Sequence, residues 1–368
     1  MALKAGIVGL PNVGKSTLFS GLTKMEAERA NYAFTTINPN VSIVELNDPR
    51  LENLARLAQS QQTIWATFEF VDIAGLVAGA SRGEGLGNQF LANIREVDLI
   101  VHVVRCFDNK DVLHVAEHVD PVRDLETINL ELILADLQVL ENVKHRLGKR
   151  IQNSRDKTAA IEAELVNRLI ATLAKNQMAW MAQLNAEEKH LIKSYQLLTL
   201  KPMVVVANLA ANEAATPAQS SHFCNLQAVV QAMGLPLISL AADLETEIAF
   251  INNREEKALF LQAYNLPTSG LDCLIRTAFD NLNLATYFTV GPKEARAWVF
   301  SKGMLANECA GLIHNDFYQK FICAEVIAYD DLMACGGFKQ AKDAGKMRLE
   351  GKTYHIKDGD ICTFRIGR

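Results

Sequence analysis

No apolar run in the chain approaches the roughly 18 residues needed to cross a bilayer, and the start Met1-Ala2-Leu3-Lys4 lacks the long apolar core of a signal peptide. A cytoplasmic protein with no membrane partner is therefore expected. The seven cysteines contain no Cys-x-x-Cys pair and no Cys/His ligand spacing, so packed, reduced thiols are expected rather than disulfides or a zinc site. An excess of positive charge is also missing. The formal net charge is −5, which excludes a uniformly basic nucleic-acid binder and leaves room only for a local basic patch. What the chain has is length and apolar content: 368 residues, 49% of them hydrophobic, enough for two or three domains with developed cores.

One stretch carries the chemistry. Ala5-Gly6-Ile7-Val8 reads as a strand and is followed by Gly9-Leu10-Pro11-Asn12-Val13-Gly14-Lys15-Ser16-Thr17, the pattern Gly-x-x-x-x-Gly-Lys-Ser at a strand-to-helix junction. Glycines there let successive N–H groups turn inward on a phosphate chain, and the following helix points its positive end at the same anion. Residues 12–17 are the candidate nucleotide cradle. Lys15 would reach the outer phosphates, with a catalytic as well as a binding role, and the Ser16 hydroxyl would hold Mg2+.

Along the chain, strands at Thr67–Val71, Leu99–Val104, Pro202–Val206 and Leu235–Leu240 alternate with helical stretches, one of them opened by Asp48-Pro49 as cap and first-turn proline. This argues for an α/β protein with a mostly parallel sheet. From about Glu126 the strand signal stops. Ile133, Leu137, Leu140, Leu147 and Ile151, then Ile161, Leu165, Leu169 and Leu173 after a turn near Asn153-Ser154, predict an antiparallel helical hairpin inserted in the sheet domain. Its tip holds Lys144, Arg146, Lys149, Arg150, Arg155 and Lys157 against the single acid Asp156. Such a cluster either attracts a phosphate backbone or is a solvated helix end. Beyond Asp280 short strands at Thr286–Val290, Ala295–Phe300, Ala324–Tyr329 and Ile361–Ile366, with a helix near Glu308–Ile313, predict a small β-rich domain with one main helix.

Two further signals separate a nucleotide switch from a small-molecule kinase. Asp72-Ile73-Ala74-Gly75 ends a strand, where Asp72 would hold Mg2+ and Gly75 would offer its N–H to a γ-phosphate; Thr36, between the two motifs, would add its hydroxyl to the metal shell. Base reading is expected after the strand ending at Ala207, at Asn208 and Leu209. The guanine-reading pattern Asn-Lys-x-Asp is absent: Asn208-Leu209-Ala210-Ala211 offers no carboxylate, which makes adenine at least as plausible a base as guanine. The glutamine that orients water in many GTPases is absent too, its position being Leu76.

Gly9–Thr17, the stretch Phe70-Val-Asp-Ile-Ala-Gly-Leu-Val-Ala-Gly-Ala-Ser-Arg-Gly-Glu-Gly-Leu-Gly-Asn-Gln-Phe-Leu91, and Arg348-Leu-Glu-Gly-Lys-Thr-Tyr-His-Ile-Lys-Asp-Gly-Asp360 together resemble the YchF subfamily of Obg-like P-loop NTPases over nearly the whole chain. The resemblance implies an Obg-type G domain over 1–280, interrupted by a helical coiled-coil insertion at 126–199, and a C-terminal TGS domain of β-grasp form over 281–368. It implies preference for ATP over GTP and association with the ribosome or its large subunit. It points to His114 as the group that orients water in place of the missing glutamine, and likens Asn12 to an asparagine that helps hold K+ beside the phosphates. Ala211 stands where the family pattern Asn-x-x-Glu has its glutamate.

The expected function is thus a Mg2+-dependent nucleoside-triphosphate hydrolase, slow, using ATP, acting as a monomer and as a switch linked to translation or stress, with RNA contacts through the hairpin tip and the TGS domain. An Obg-type GTPase, and a ribosome- or RNA-binding protein that keeps nucleotide as a structural ligand, are the alternatives.

Overall fold

The structure, a computed structural model, describes residues 3–27, 40–73, 86–109, 118–154, 157–251 and 253–367. In chain order the first elements are β1 (Lys4–Val8), α1 (Lys15–Ala27), β2 (Val41–Leu46), α2 (Pro49–Ala58), β3 (Gln62–Ile64), β4 (Ala66–Asp72), α3 (Leu86–Glu96) and β5 (Leu99–Arg105). A long helix α4 (Pro121–Ser154) and α5 (Lys157–Leu173) follow, then α6 (Ala186–Leu191), β6 (Met203–Asn208), α7 (Ser221–Ala232), β7 (Leu237–Leu240), α8 (Ala242–Ala249), α9 (Arg254–Ala263) and α10 (Gly270–Asn281). The last part holds β8 (Leu284–Val290), β9 (Glu294–Ser301), α11 (Ala306–Ile313), α12 (Asn315–Gln319), β10 (Phe321–Ala328), α13 (Tyr329–Cys335), α14 (Phe338–Asp343), β11 (Arg348–Glu350) and β12 (Asp360–Ile366). No helix among the described residues is long and apolar enough to cross a membrane.

The chain divides into two compact units, Met1–Ser42 with Glu69–Leu274, and Ile43–Phe68 with Ile275–Arg368. The sequence reading draws a single boundary near residue 280; the contacts instead group a stretch of 26 residues from the N-terminal part with the C-terminal unit. The reason lies in where its apolar residues go, described below.

In the first unit the sheet order is β2-β4-β1-β5-β6-β7, and from β4 to β7 every neighbouring pair is parallel. β5 and β6 are buried along their whole length, which is how parallel strands covered by helices on both faces read in sequence: continuous apolar runs without alternation. The predicted hairpin is present. α4 and α5, separated by two residues, form it, with Leu140, Val143 and Leu147 of α4 and Leu165, Val166, Leu169 and Leu173 of α5 buried. Ile161, expected in that seam, is 63% exposed instead. The break between the helices falls next to the expected Asn153-Ser154: α4 runs through Ser154 and α5 begins at Lys157. The base of the hairpin is fastened by Asp136, a buried carboxylate that accepts the N–H groups of Leu198 (3.0 Å) and Thr199 (2.7 Å) and the Thr199 hydroxyl. Satisfying a buried carboxylate with three donors is what makes its burial tolerable.

The second unit is a six-stranded sheet in the order β11-β10-β12-β8-β9-β3. β8 and β9 form an antiparallel hairpin, β12 lies parallel to β8, β10 is antiparallel to β12 and to β11, and β3 adds itself parallel to β9 through Gln62↔Glu294 to Ile64↔Arg296. Because strand side chains alternate between faces, Tyr287 joins one core with Phe300, Cys309 and Phe321, while its neighbour Phe288 joins the other with Leu51, Leu54, Ala297, Ile327, Leu332 and Ile361. The sequence predicts one main helix here. The sheet has two apolar faces, so it needs more: α11 covers the first, and α2, α13 and α14 cover the second.

Candidate nucleotide site

The loop between β1 and α1 is built by backbone demands that only certain residues meet. Gly14 sits at φ +97°, and a Cβ there would lie 2.2 Å from Asn208 Nδ2; at Gly9 a Cβ would lie 2.5 Å from the Val103 carbonyl oxygen. Neither clash can be relieved cheaply, so both positions require glycine. Asn12 adopts the left-handed region at φ 61°, which asparagine tolerates better than most residues. The Leu18 N–H makes its helical bond to the Gly14 carbonyl at 2.9 Å, and the N–H groups of the first turn before it have no acceptor within the helix. No acidic residue stands in that first turn. Backbone donors at a positive helix end, with no carboxylate in the helix's first turn, suit an anion.

Lys15 is buried, and its ammonium donates to the carbonyls of Gly9 (2.9 Å) and Leu10 (2.7 Å). Burial pulls its pKa down to about 8, against the opposing charge of Asp72. Asp72, at the end of β4, feels the same burial: its carboxyl is raised from the ordinary value, with Lys15 working the other way. Its Oδ1 is buried and has no hydrogen-bond partner among the described residues, while its N–H donates to the Asn40 carbonyl at 2.9 Å. A buried carboxylate oxygen without a donor beside a buried ammonium fits a cation-binding role, since a metal or its water would satisfy the lone pairs. Ser16 is exposed at the start of α1, and Thr17 is half-buried, its carbonyl accepting the Thr246 hydroxyl of α8 at 3.2 Å.

Asn208 ties the end of β6 to the loop and to the start of α8. Its Nδ2 donates to the Val13 carbonyl at 2.9 Å, and its Oδ1 accepts the Ala242 N–H, at the start of α8, also at 2.9 Å. Leu209 is buried and its N–H donates to the Leu240 carbonyl at 2.8 Å. The ends of β6 and β7 and the phosphate loop therefore form one hydrogen-bonded assembly. Ala211 opens a single 3-10 turn, Ala211–Glu213, and carries no group that reads a base.

Of the residues expected from sequence, Asn12, Val13 and Gly14 lie in the loop and Lys15, Ser16 and Thr17 open α1, Asp72 stands within electrostatic reach of Lys15, and Asn208 reaches Val13. Thr36, Gly75 and His114 lie outside the described residues. Two residues escaped the sequence reading. His102, in the middle of β5, is 1% exposed, its Nδ1 has no hydrogen-bond partner among the described residues, and burial followed by the charge of Lys15 pulls its pKa down to about 3. Arg105, at the end of the same strand, is buried under the Phe107 ring and donates to the carbonyls of Phe107 (3.0 Å) and Asn109 (3.1 Å). The available signal was a histidine and an arginine in an otherwise apolar strand, a pattern that core burial alone does not explain.

Comparison with known proteins agrees with this geometry. Residues 4–142 match a family model described as a 50S ribosome-binding GTPase, and residues 284–367 match the model of the YchF GTPase C-terminal region, described as a protein of unknown function. The chain is 49% identical over 366 residues to a protein of Bacillus subtilis named ribosome-binding ATPase YchF, with all of both chains covered. It is 46% identical over 364 residues to the protein of that name from Escherichia coli O157:H7, with 99% of each covered. The solved structure of the Schizosaccharomyces pombe YchF GTPase superposes with a TM-score of 0.90 at 33% identity, covering 99% of this chain and 97% of that one. With a P-loop G-domain sheet, an inserted helical hairpin and a C-terminal β-rich unit in common with these relatives, the chain belongs to the YchF family.

Proposed function

We propose that this chain is a ribosome-associated, Mg2+-dependent nucleoside triphosphatase that binds ATP and hydrolyses it slowly, working as a monomeric cytoplasmic switch in translation or stress. The observation that carries the reading is the buried ammonium of Lys15 beside the glycine-built loop, within electrostatic reach of Asp72, whose buried Oδ1 has no donor among the described residues. Names of relatives that include ATPase and ribosome binding support it.

In this reading the N–H groups of residues 12–17 bind the phosphates, and Lys15 releases the loop carbonyls to meet the outer phosphate, where it offsets charge as the bond to the leaving oxygen breaks. Ser16 and Asp72 hold Mg2+, with Thr36 completing the set and Gly75 contributing its N–H to the terminal phosphate; the ion's chemistry is to neutralise charge on the phosphate oxygens. Asn12 contributes to a K+ site. His114 orients the attacking water, because Leu76 has no group that can. Asn208 and Leu209 bound the base. The exposed Lys144, Arg146 and Lys149 on α4 supply the basic face for RNA, and the second unit supplies the TGS contact. Domain limits of 1–280, 126–199 and 281–368 follow the family pattern.

Single-turnover hydrolysis tests the mechanism. Relative to wild type, His114→Ala loses roughly a hundredfold or more in rate with binding retained, and Lys15→Ala loses binding and turnover. Equal rates in wild type and His114→Ala would remove the histidine's role. ATP and GTP affinities measured by calorimetry at matched Mg2+ decide the base. Equal or tighter GTP binding would favour the GTPase alternative, which the missing carboxylate at Ala211 makes the specific competitor.

A further inference from the structure

The turn that follows β5 is tied to the nucleotide site from the side opposite the phosphate loop's own helix. Arg105 ends that strand and is 1% exposed. A guanidinium removed from water is costly to keep unless its donors are met. Here its Nε donates to the Phe107 carbonyl at 3.0 Å and its Nη2 to the Asn109 carbonyl at 3.1 Å, with the Phe107 ring 4.5 Å away and the charges of Asp108 and Asp124 within reach. Those carbonyls belong to the turn itself, so the buried charge fixes the path of residues 106–109. From outside, Asp108 Oδ2 lies 3.4 Å from His222 Nε2 on α7. At the root of the turn, the Cys106 N–H donates to the Asn208 carbonyl at 2.8 Å, one step past the register pair Arg105↔Asn208. The Asn208 side chain then reaches the Val13 carbonyl and the Ala242 N–H.

We propose that Arg105 is a positioning residue for the nucleotide: by locking the turn after β5 it holds the last rung between β5 and β6, and through that rung it keeps the Asn208 side chain aligned on Val13 and Ala242. The end of a strand is where a ladder opens most readily, and Asn208 works from that end. A guanidinium suits the task because its donors are fixed in one plane, so it spans two carbonyls two residues apart, whereas an ammonium is a point charge on a flexible stem. Arg105 acts on the site through Asn208, without touching phosphate or base. Its effect therefore falls on binding, which the ground state and the transition state share, and so on KM rather than kcat. The inference rests on the nucleotide reading of the loop at residues 12–17 and adds to it a residue from a different strand.

ATP affinity by calorimetry, steady-state kinetics and amide hydrogen exchange of the full chain test it together. In Arg105→Met, ATP binds roughly tenfold or more weakly and KM rises in step, while kcat stays within about twofold. Arg105→Lys keeps the charge and most of the packing, which guards against a variant that does not fold, and binds ATP roughly threefold or more weakly because the fork is gone. Without nucleotide, the Cys106 and Ala242 amides lose exchange protection in Arg105→Lys, while the Leu209 amide, bonded to Leu240, keeps its own. Combining Arg105→Met with Asn208→Ala weakens ATP binding no further than Asn208→Ala alone, within about twofold, as residues acting along one path require. Wild-type ATP affinity in folded Arg105→Lys, unchanged exchange at Cys106 and Ala242, or additive losses in the double variant each overturn the proposal. A wild-type chain that binds no ATP would sink the nucleotide reading and this proposal with it, a failure told apart from the others because no variant is needed to see it.

Discussion

His102 shows what a single buried titratable group does to the molecule. Free histidine titrates near pH 6.5, whereas this imidazole is held down to about 3 by burial, with the Lys15 charge adding to the effect. Between those values the unfolded chain binds a proton that the folded chain refuses, so stability is full above about pH 6.5 and falls as the pH drops toward 3. From about pH 7 to about pH 5 this one group removes about 2 kcal/mol. In His102→Leu that part of the acid sensitivity disappears. Hydrogen exchange of the β1 and β5 amides at the two pH values measures it, and an unchanged pH slope in the variant would remove the assignment.

At the scale of the element, the informative piece is α2 with its flanking strand β3. Asp48 caps the helix, accepting the Arg50 N–H at 3.0 Å, and Arg50 then reaches Asp358 in the turn before β12. Leu51 and Leu54 are fully buried against Phe288, Ile327 and Ile361. Leu51→Ala therefore leaves a cavity costing about 2–4 kcal/mol. The loss falls on the C-terminal sheet: amides of β8 and β12 lose exchange protection, while those of β1 and β5 keep theirs. The start of α2 was legible because a cap and a first-turn proline are local signals, and the long buried strands β5 and β6 because their apolar runs are unbroken. β3 was not. Two of its three residues, Gln62 and Thr63, are exposed, and what makes it a strand is a partner at residues 294–296. β11, Arg348-Leu349-Glu350, is hidden for the same reason. The site divides in the same way. The phosphate loop is contiguous and was read outright, whereas the Asn208 bonds to Val13 and Ala242, and the burial of His102 among parallel strands, exist only once the sheet has assembled.

Taken as a whole, the molecule has a C-terminal unit that is not a contiguous piece of chain. A fragment of residues 275–368 alone would lack α2 and β3, exposing Phe288, Ala297 and Ile361 on one face of its sheet and the β9 edge beside it. Such a fragment gives a poorly dispersed amide spectrum or aggregates, and fusing residues 43–68 to it through a flexible linker restores native dispersion; a well-dispersed fragment without them would contradict this. The same discontinuity sets a schedule during synthesis. Leu51 leaves the ribosome roughly 230 residues before Phe288, an interval on the order of ten to fifty seconds at ordinary elongation rates. For that time a greasy helix hangs on the nascent polypeptide with nothing to dock on, which makes residues 43–68 the stretch most in need of a chaperone's shelter.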